Sequence, residues 1–187
     1  MADLNRKYKA FTLVELMAVV AIIGIITAAG FVSLQSGKNS AALQTAQRQV
    51  ASEIKLAQSY ALQGKTQGGA TPCGYGFRFT DSAHYEIFYN PGTDCDTLNN
   101  GSDASYLHYK SGVSASAESG SLGNGVVLKD VSGSAFTSAA TEIYFTVPRG
   151  DMYDSSGTGF ASKLFDFSDG SGTKSITINP GGSVSEN

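Results

Sequence analysis

The sequence predicts an α+β protein in which one long N-terminal helix packs on an antiparallel β-sheet body. Three patterns support this fold class. Residues 16–34 form a run of 19 residues without a charged side chain. After this run, apolar residues recur at steps of three or four as far as residue 61, which is the spacing of one helix face. Beyond Gly64, apolar and polar residues alternate, which is the period of strands.

The uncharged run is long enough to cross a membrane as a helix. At about 1.5 Å of rise per residue it would extend roughly 28 Å, close to the thickness of the hydrocarbon core. Arg6, Lys7 and Lys9 precede it, and basic residues before an apolar span favour a cytoplasmic N-terminus. A secretory signal peptide is disfavoured, because the run exceeds the usual core of about 7–15 residues and no A-x-A-like site follows it. Hydropathy alone leaves a plain transmembrane anchor open.

The stripe that follows predicts that the same helix continues as an amphipathic segment. Gln, Arg, Glu and Lys lie between its apolar positions and form a solvated face. No proline occurs before Pro72 and Gly64 is a typical stop signal, so we predict one helix from about Thr12 to about Gln63. The apolar positions of the stripe are Leu43, Ala46, Val50, Ile54, Ala57 and Ala61.

The remainder of the chain predicts about seven short strands, antiparallel because their connections are short. The predicted strands are residues 73–79, 84–89, 105–110, 126–131, 141–147, 163–168 and 175–180. Turn residues at 81–82 and 90–92 mark reversals of the chain. The stretch 111–125 is rich in Ser, Gly and Ala and is predicted to be a long surface loop. One face of the sheet should pack on the apolar stripe of the helix.

Glu15 is the unusual residue of the apolar half, because it places a carboxylate near the start of a segment of membrane length. Such a charge costs on the order of 3 kcal/mol on the mildest insertion scale. One interpretation is that Glu15 meets a positive group within the membrane. The alternative is that its side chain reaches out to the lipid headgroups, because it lies close to the helix start.

The segment KAFTLVELMAVVAIIGIITA, residues 9–28, resembles the N-terminus of type IV pilins and type II secretion pseudopilins. The resemblance implies that a membrane aspartic peptidase cuts between Ala10 and Phe11 and that Phe11 is then methylated. Ala10 stands where the family usually has Gly. Glu15 becomes the fifth mature residue, and the resemblance implies that it meets the amino group of Phe11, its own or that of a neighbouring subunit. Thr12 lies three residues before Glu15 and is predicted to take part in assembly together with it.

The resemblance also implies the domain organisation. Residues 1–10 are the leader, 11–34 the transmembrane and assembly half of the helix, 35–64 its amphipathic half, and 65–187 an extracytoplasmic pilin-like domain. The body is similar to pseudopilin H and related minor pilins, in which two β-sheets pack against the helix. Residues 66–187 carry 6 basic and 13 acidic side chains, a balance of 6 − 13 = −7.

The predicted function is a structural subunit of a type IV pilus or a type II secretion pseudopilus. The expected partners are other pilin or pseudopilin subunits, the prepilin peptidase, inner-membrane lipid and the assembly platform protein. The expected location is the inner membrane, with the body outside the cytoplasm. The alternative is a minor pilin that binds DNA for uptake, which the negative body disfavours, because nucleic-acid affinity comes largely from Lys and Arg. The sequence offers no catalytic motif that would argue for an enzyme.

Two cysteines, Cys73 and Cys95, lie in the part predicted to be outside the cytoplasm, where a disulfide is expected and two free thiols are the alternative. No metal-ligand spacing surrounds His84 and His108. Oxygen-bearing side chains cluster at Asp94, Asp96, Asn99, Asn100 and Asp103. Calcium is possible there, but the spacing is not that of an EF-hand loop, and a solvated turn is the better interpretation. The tripeptide Arg-Gly-Asp at 149–151 is interpreted as a turn.

Overall fold

The computed structural model describes residues 11–92, 109–156 and 159–186, apart from the side chains of residues 29–36 and 135. Its one long helix, α1, comprises Leu13–Gln63, in agreement with the predicted helix. The chain divides into two compact units, Met1–Lys38 and Asn39–Asn187, and α1 contributes residues to both. The predicted α+β class is therefore confirmed, and the second unit holds the whole β body.

The helix ends where Gly64 was predicted to stop it. The Gly64 N–H donates to the carbonyl of Ala61 at 3.1 Å, and the Lys65 N–H donates to the carbonyl of Tyr60 at 3.0 Å. This pair of hydrogen bonds is the Schellman motif, which requires a residue in the left-handed region after the last helical turn. Gly64 takes that conformation with φ of 58°, at no steric cost.

Ten strands follow in the described residues, more than the seven predicted. They are β1 Gly74–Phe79, β2 His84–Asn90, β3 Ala115–Ser121, β4 Val127–Val131, β5 Ser134–Ala135, β6 Ile143–Thr146, β7 Met152–Asp154, β8 Lys163–Ser168, β9 Thr173–Ile178 and β10 Val184–Glu186. They form two five-stranded sheets. Sheet I has the order β3-β2-β1-β6-β7, sheet II has the order β10-β9-β8-β4-β5, and every pairing is antiparallel.

Six of the seven predicted strands are confirmed, as β1, β2, β4, β6, β8 and β9. Residues 105–108 of the remaining predicted strand lie outside the described residues, and Tyr109 and Lys110 are not in a strand. The predicted loop over 111–125 is wrong, because residues 115–121 form β3 at the edge of sheet I. One of its small residues, Gly120, has a packing reason. A Cβ at Gly120 would lie 2.4 Å from the Tyr85 hydroxyl oxygen, so the strand passes closely beneath that ring.

The core of the second unit lies between the amphipathic part of α1 and the inner faces of the two sheets. All six residues of the predicted apolar stripe are buried, none more than 3% exposed. Phe79 of β1 joins sheet I to sheet II, because its ring lies 6.0 Å from that of Phe165 and 6.3 Å from that of Phe167 in β8. The helix and both sheets therefore share one hydrophobic core.

Lys163 adds a polar link between the two sheets. Its ammonium, at the start of β8, donates to the carbonyl oxygens of Ala140 at 2.9 Å and Glu142 at 2.7 Å, just before β6. Burial is the main cause that lowers the pKa of this amine, while Asp154 and Glu142 act in the opposite direction. The carbonyl acceptors and the nearby carboxylates thus stabilise this partly buried ammonium.

Candidate assembly site at the start of the helix

The structure brings together two of the predicted site residues, Thr12 and Glu15, at the N-terminus of α1. The Glu15 N–H donates to the Thr12 hydroxyl oxygen at 3.3 Å. In return, Glu15 Oε2 accepts from the Thr12 N–H at 3.5 Å and from its hydroxyl at 3.4 Å. The Leu16 N–H donates to the Thr12 carbonyl at 3.2 Å, the first bond of the helix. This reciprocal arrangement is a capping box with Thr12 at the N-cap and Glu15 at N3.

The capping box gives Glu15 a local role that the sequence interpretation missed, although its signal, Thr-x-x-Glu before an apolar run, is visible in the sequence. The carboxylate satisfies an N–H that has no partner within the helix, and it lies at the positive end of the helix dipole. Both effects offset part of the cost of keeping a charge beside an apolar segment.

Only one of the two carboxylate oxygens of Glu15 is used by the cap. Both of its hydrogen bonds go to Oε2, and Oε1 accepts none within the described residues. Phe11 immediately precedes the cap and is 77% exposed, whereas Ala10 lies outside the described residues. Glu15 already accepts a hydrogen bond from the Thr12 N–H. An amino group at Phe11 would be only one residue away from that N–H.

Apart from Glu15 and Thr27, the described side chains of α1 from residue 13 to residue 28 are all apolar. All helical positions from 13 to 28 are exposed, so these residues have no core of their own. The hydroxyl of Thr27 is satisfied within the helix by the Ile23 carbonyl at 2.7 Å. The exposed large apolar residues are Phe11, Leu13, Val14, Leu16, Met17, Val19, Val20, Ile22, Ile23, Ile25 and Ile26, at 49% to 77% exposure. Exposed apolar surface on this scale indicates a contact with lipid or protein.

In the described part of the chain, no helix has both the length and the apolar character needed to cross a membrane.

Cys73 lies directly before β1 and is 6% exposed. Its N–H donates to the Asn90 carbonyl and its carbonyl accepts from the Val147 N–H, both at 3.0 Å, so the backbone of Cys73 is fixed between β2 and the end of β6. Cys95 lies outside the described residues. The bond between the two cysteines therefore stays a prediction.

We expect Cys95→Ser to lower the free energy of unfolding by about 3 kcal/mol, the value typical of a bridge that closes a loop of this size. The measurement is denaturant unfolding of the full chain in detergent without reductant. Reductant should bring the wild type to the stability of the variant, which serves as the control. Equal stability, with two thiols that react with an alkylating reagent in the native wild type, would show that no bridge exists.

The other candidates from the sequence form no site in the described residues. Asp94, Asp96 and Asp103, like Asn99, Asn100 and His108, lie outside them, and no group of three metal-ligating side chains occurs within them. His84 is exposed, with its Nδ1 2.9 Å from Asp81 Oδ2. The backbone N–H of Ala83 is the main cause that lowers the pKa of Asp81, so this carboxylate belongs to the turn between β1 and β2.

The tripeptide 149–151 forms the turn that was predicted for it. The Gly150 N–H donates to the Thr146 carbonyl at 2.7 Å, and the Thr146 N–H donates to the Asp151 carbonyl at 3.0 Å, which closes the hairpin between β6 and β7. Gly150 has φ of 72°, and Arg149 and Asp151 are exposed. The turn is thus explained by hairpin geometry alone.

The first unit thus combines a helix start that is capped by a carboxylate with an exposed apolar segment. The prokaryotic N-terminal methylation motif matches residues 5–31 of this chain. This motif is the signature of type IV pilins and pseudopilins, so the resemblance seen in the sequence is confirmed at that level. Comparison with curated proteins and with solved structures gave no significant match.

The motif implies processing by a prepilin peptidase, membrane anchoring and assembly with other pilin subunits. It points to a structural subunit and not to an enzyme. The closer similarity of the body to pseudopilin H stays a prediction.

Proposed function

We propose that this chain is a prepilin that is cut between Ala10 and Phe11, methylated at Phe11 and built into a helical filament through α1. The filament is a type IV pilus or a type II secretion pseudopilus. The observation that carries the proposal is the combination of a single carboxylate at the helix start with an apolar segment exposed on every side, within the matched motif.

The exposed apolar residues favour any environment that removes them from water. Burial of one large apolar side chain contributes about 1.5 kcal/mol or more, so burial of eleven contributes on the order of 15 kcal/mol. Lipid can provide this burial before assembly, and the helices of neighbouring subunits can provide it afterwards. The segment is therefore suited to move between the inner membrane and a filament core with little change in apolar burial.

Glu15 would fix the axial position of one helix relative to its neighbours. A charged pair is needed for this, because an apolar helix can slide along another apolar helix at little cost. After cleavage, the amino group of Phe11 is an ammonium, the partner that gives a carboxylate a charge-assisted hydrogen bond. The free Oε1 of Glu15 leaves an acceptor for this ammonium, from the same chain or from a neighbour, while Oε2 continues to serve the cap. One charged pair per subunit in an apolar medium would fix the axial position of each helix.

The body would lie outside the cytoplasm, with the basic leader on the cytoplasmic side, and the assembly platform protein would receive the subunit in the inner membrane. The alternative as a DNA receptor for uptake stays a prediction, and no contact among the described residues adds support to it.

Leader removal tests the proposal. Mass spectrometry of the protein extracted from the membrane of its producing host should find an N-terminus at Phe11 that carries a methyl group. In the same host without its prepilin peptidase, the leader should remain attached, which is the control. A chain that begins at Met1 or Ala2 in the host with active peptidase would refute the proposed function.

A further inference from the structure

The exposed face of α1 in the second unit carries only positive charge. Arg48 and Lys55 lie seven residues apart, two helical turns, and therefore on one side of the helix. No Asp or Glu is fully exposed on the helix between residues 40 and 63. Glu53 is only partly exposed and its carboxylate lies 3.5 Å from the Tyr85 hydroxyl of sheet I. We call Arg48 and Lys55 the basic helix face.

The basic helix face is barely neutralised within its own chain. Arg48 Nε lies 3.9 Å from Glu186 Oε2, with both side chains largely in solvent, at 65% and 44% exposure. An ion pair of this kind contributes little. Among the described residues, Lys55 makes no ion pair.

The outer face of sheet II carries two carboxylates side by side. Asp130 of β4 and Asp166 of β8 are directly opposite each other in the ladder. Their neighbours Val131 and Phe165, also a pair, are buried in the core, so the two carboxylates lie on the opposite face of the sheet. We call Asp130 and Asp166 the acidic sheet face.

Like charges directly opposite in a sheet are unfavourable, and little in the described part of the chain relieves this pair. Asp166 accepts one hydrogen bond from the Ser175 hydroxyl at 2.6 Å. Neither carboxylate is within ion-pair distance of a described Lys, Arg or His side chain. Lys129, at the bulge beside Asp130, is exposed and forms no such pair with it. A positive group from outside the chain would therefore stabilise the acidic sheet face.

A single chain cannot bring these two surfaces together. The apolar stripe of α1 and the inner face of sheet II belong to one core, so the basic helix face and the acidic sheet face both point away from that core. Two copies can do so. A contact between two different surfaces of identical subunits is heterologous, and its repetition generates an open helical filament unless the rotation closes a ring.

We propose that the basic helix face of one subunit docks on the acidic sheet face of the next, so that Arg48 and Lys55 meet Asp130 and Asp166. The proposal rests on the filament function proposed above and names a contact between bodies in that filament. Complementary charge of this kind sets the partner and the register of a contact.

Charge reversal of each surface tests the proposal in the producing host. One variant is Arg48→Glu with Lys55→Glu, and the other is Asp130→Lys with Asp166→Lys. Each alone should lower the ratio of processed subunit in sheared filaments to that left in the membrane by about tenfold, since like charges then face each other. The matched control, Arg149→Glu with Asp151→Lys at the exposed turn between β6 and β7, should leave the ratio unchanged.

Rescue separates a contact between the two surfaces from damage to the fold. A chain with all four substitutions again presents opposite charges, and it should recover most of the wild-type ratio. Co-production of the two reversed variants should do the same, because each then fits the other. Where a reversed variant is degraded, the neutral variants Arg48→Gln with Lys55→Gln and Asp130→Asn with Asp166→Asn replace it, and their filaments should resist salt more than wild-type filaments do.

The outcomes distinguish this proposal from the function on which it rests. If the wild-type chain is not found in filaments at all, the proposed function fails. If the wild type assembles and both reversed variants assemble equally well, only the contact proposed here is wrong. It is also wrong if the single-surface variants fail to assemble and the fourfold variant fails equally, because opposite charges then do not restore assembly.

Discussion

Glu15→Val is expected to leave the subunit in the membrane and to lower its incorporation into filaments by more than about tenfold. Insertion should persist or improve, because a charge that costs on the order of 3 kcal/mol has been removed. Cleavage between Ala10 and Phe11 should continue, since the leader and the cut site are unchanged. Assembly should fail because the carboxylate that would meet the Phe11 ammonium is absent. The measurement is the ratio of processed subunit in sheared filaments to that in the membrane, in cells that also produce wild-type subunits.

The capping box provides matched controls for this experiment. Glu15→Gln keeps a side chain that can close the box but removes the charge, so it should assemble no better than to an intermediate level. Thr12→Ala keeps the carboxylate but removes the N-cap, which costs about 1 kcal/mol of local helix stability, and it should assemble better than Glu15→Val. If Glu15→Val enters filaments as efficiently as the wild type, Glu15 serves the helix end alone.

Phe79→Ala is expected to lower the free energy of unfolding of the body by about 3–5 kcal/mol, a large share of the stability of a domain of this size. Phe79 is fully buried, and its ring contacts Phe77 and Tyr85 of sheet I as well as Phe165 and Phe167 of sheet II. Its removal leaves a cavity at the junction of the two sheets. Denaturant unfolding of the full chain in detergent, followed by circular dichroism of the β body, measures the loss.

Val113→Ala is the matched control for the core substitution. Val113 lies in the turn before β3 and is 37% exposed, so its loss should change the free energy of unfolding by about 0.5 kcal/mol or less. A loss below about 1 kcal/mol for Phe79→Ala would mean that the two sheets do not depend on this ring for their packing.

The helix and the central strands were predictable because their signals are local and agree with one another. An uninterrupted 3.6-residue pattern leads to a glycine stop in α1, aromatic residues alternate in β1, and β2 and β6 are rich in aromatic residues. The strand β3 was not predictable in this way. It lies at a sheet edge, and six of its seven residues are Ala, Ser or Gly, so apolar and polar residues do not alternate clearly. The close contact between Gly120 and Tyr85 arises only once the sheet has formed. The strands β5, β7 and β10 have two or three residues each, too few for a period.

The candidate assembly residues were predictable from a motif, but their geometry was not. Thr12 and Glu15 could be paired from their spacing, but the family resemblance implied the amino group of Phe11 as the partner of Glu15, and not Thr12. The pair Asp130 and Asp166 could not be found in the sequence, since 36 positions separate the two residues and a bulge shifts the register between β4 and β8. Only the observed register places them side by side.

The edge strand β3 also decides where this protein can be labelled. The Ser/Gly/Ala stretch looks like a natural place for an epitope tag, but one inserted residue within β3 would turn the following side chains to the opposite face and remove Gly120 from beneath Tyr85. Residues 123–125, in the connection between β3 and β4, are a better choice. All three residues are exposed, and no atom lies within 4 Å of a Cβ built at either glycine. A tag placed there would extend into solvent, so that an antibody could count subunits without altering the sheet.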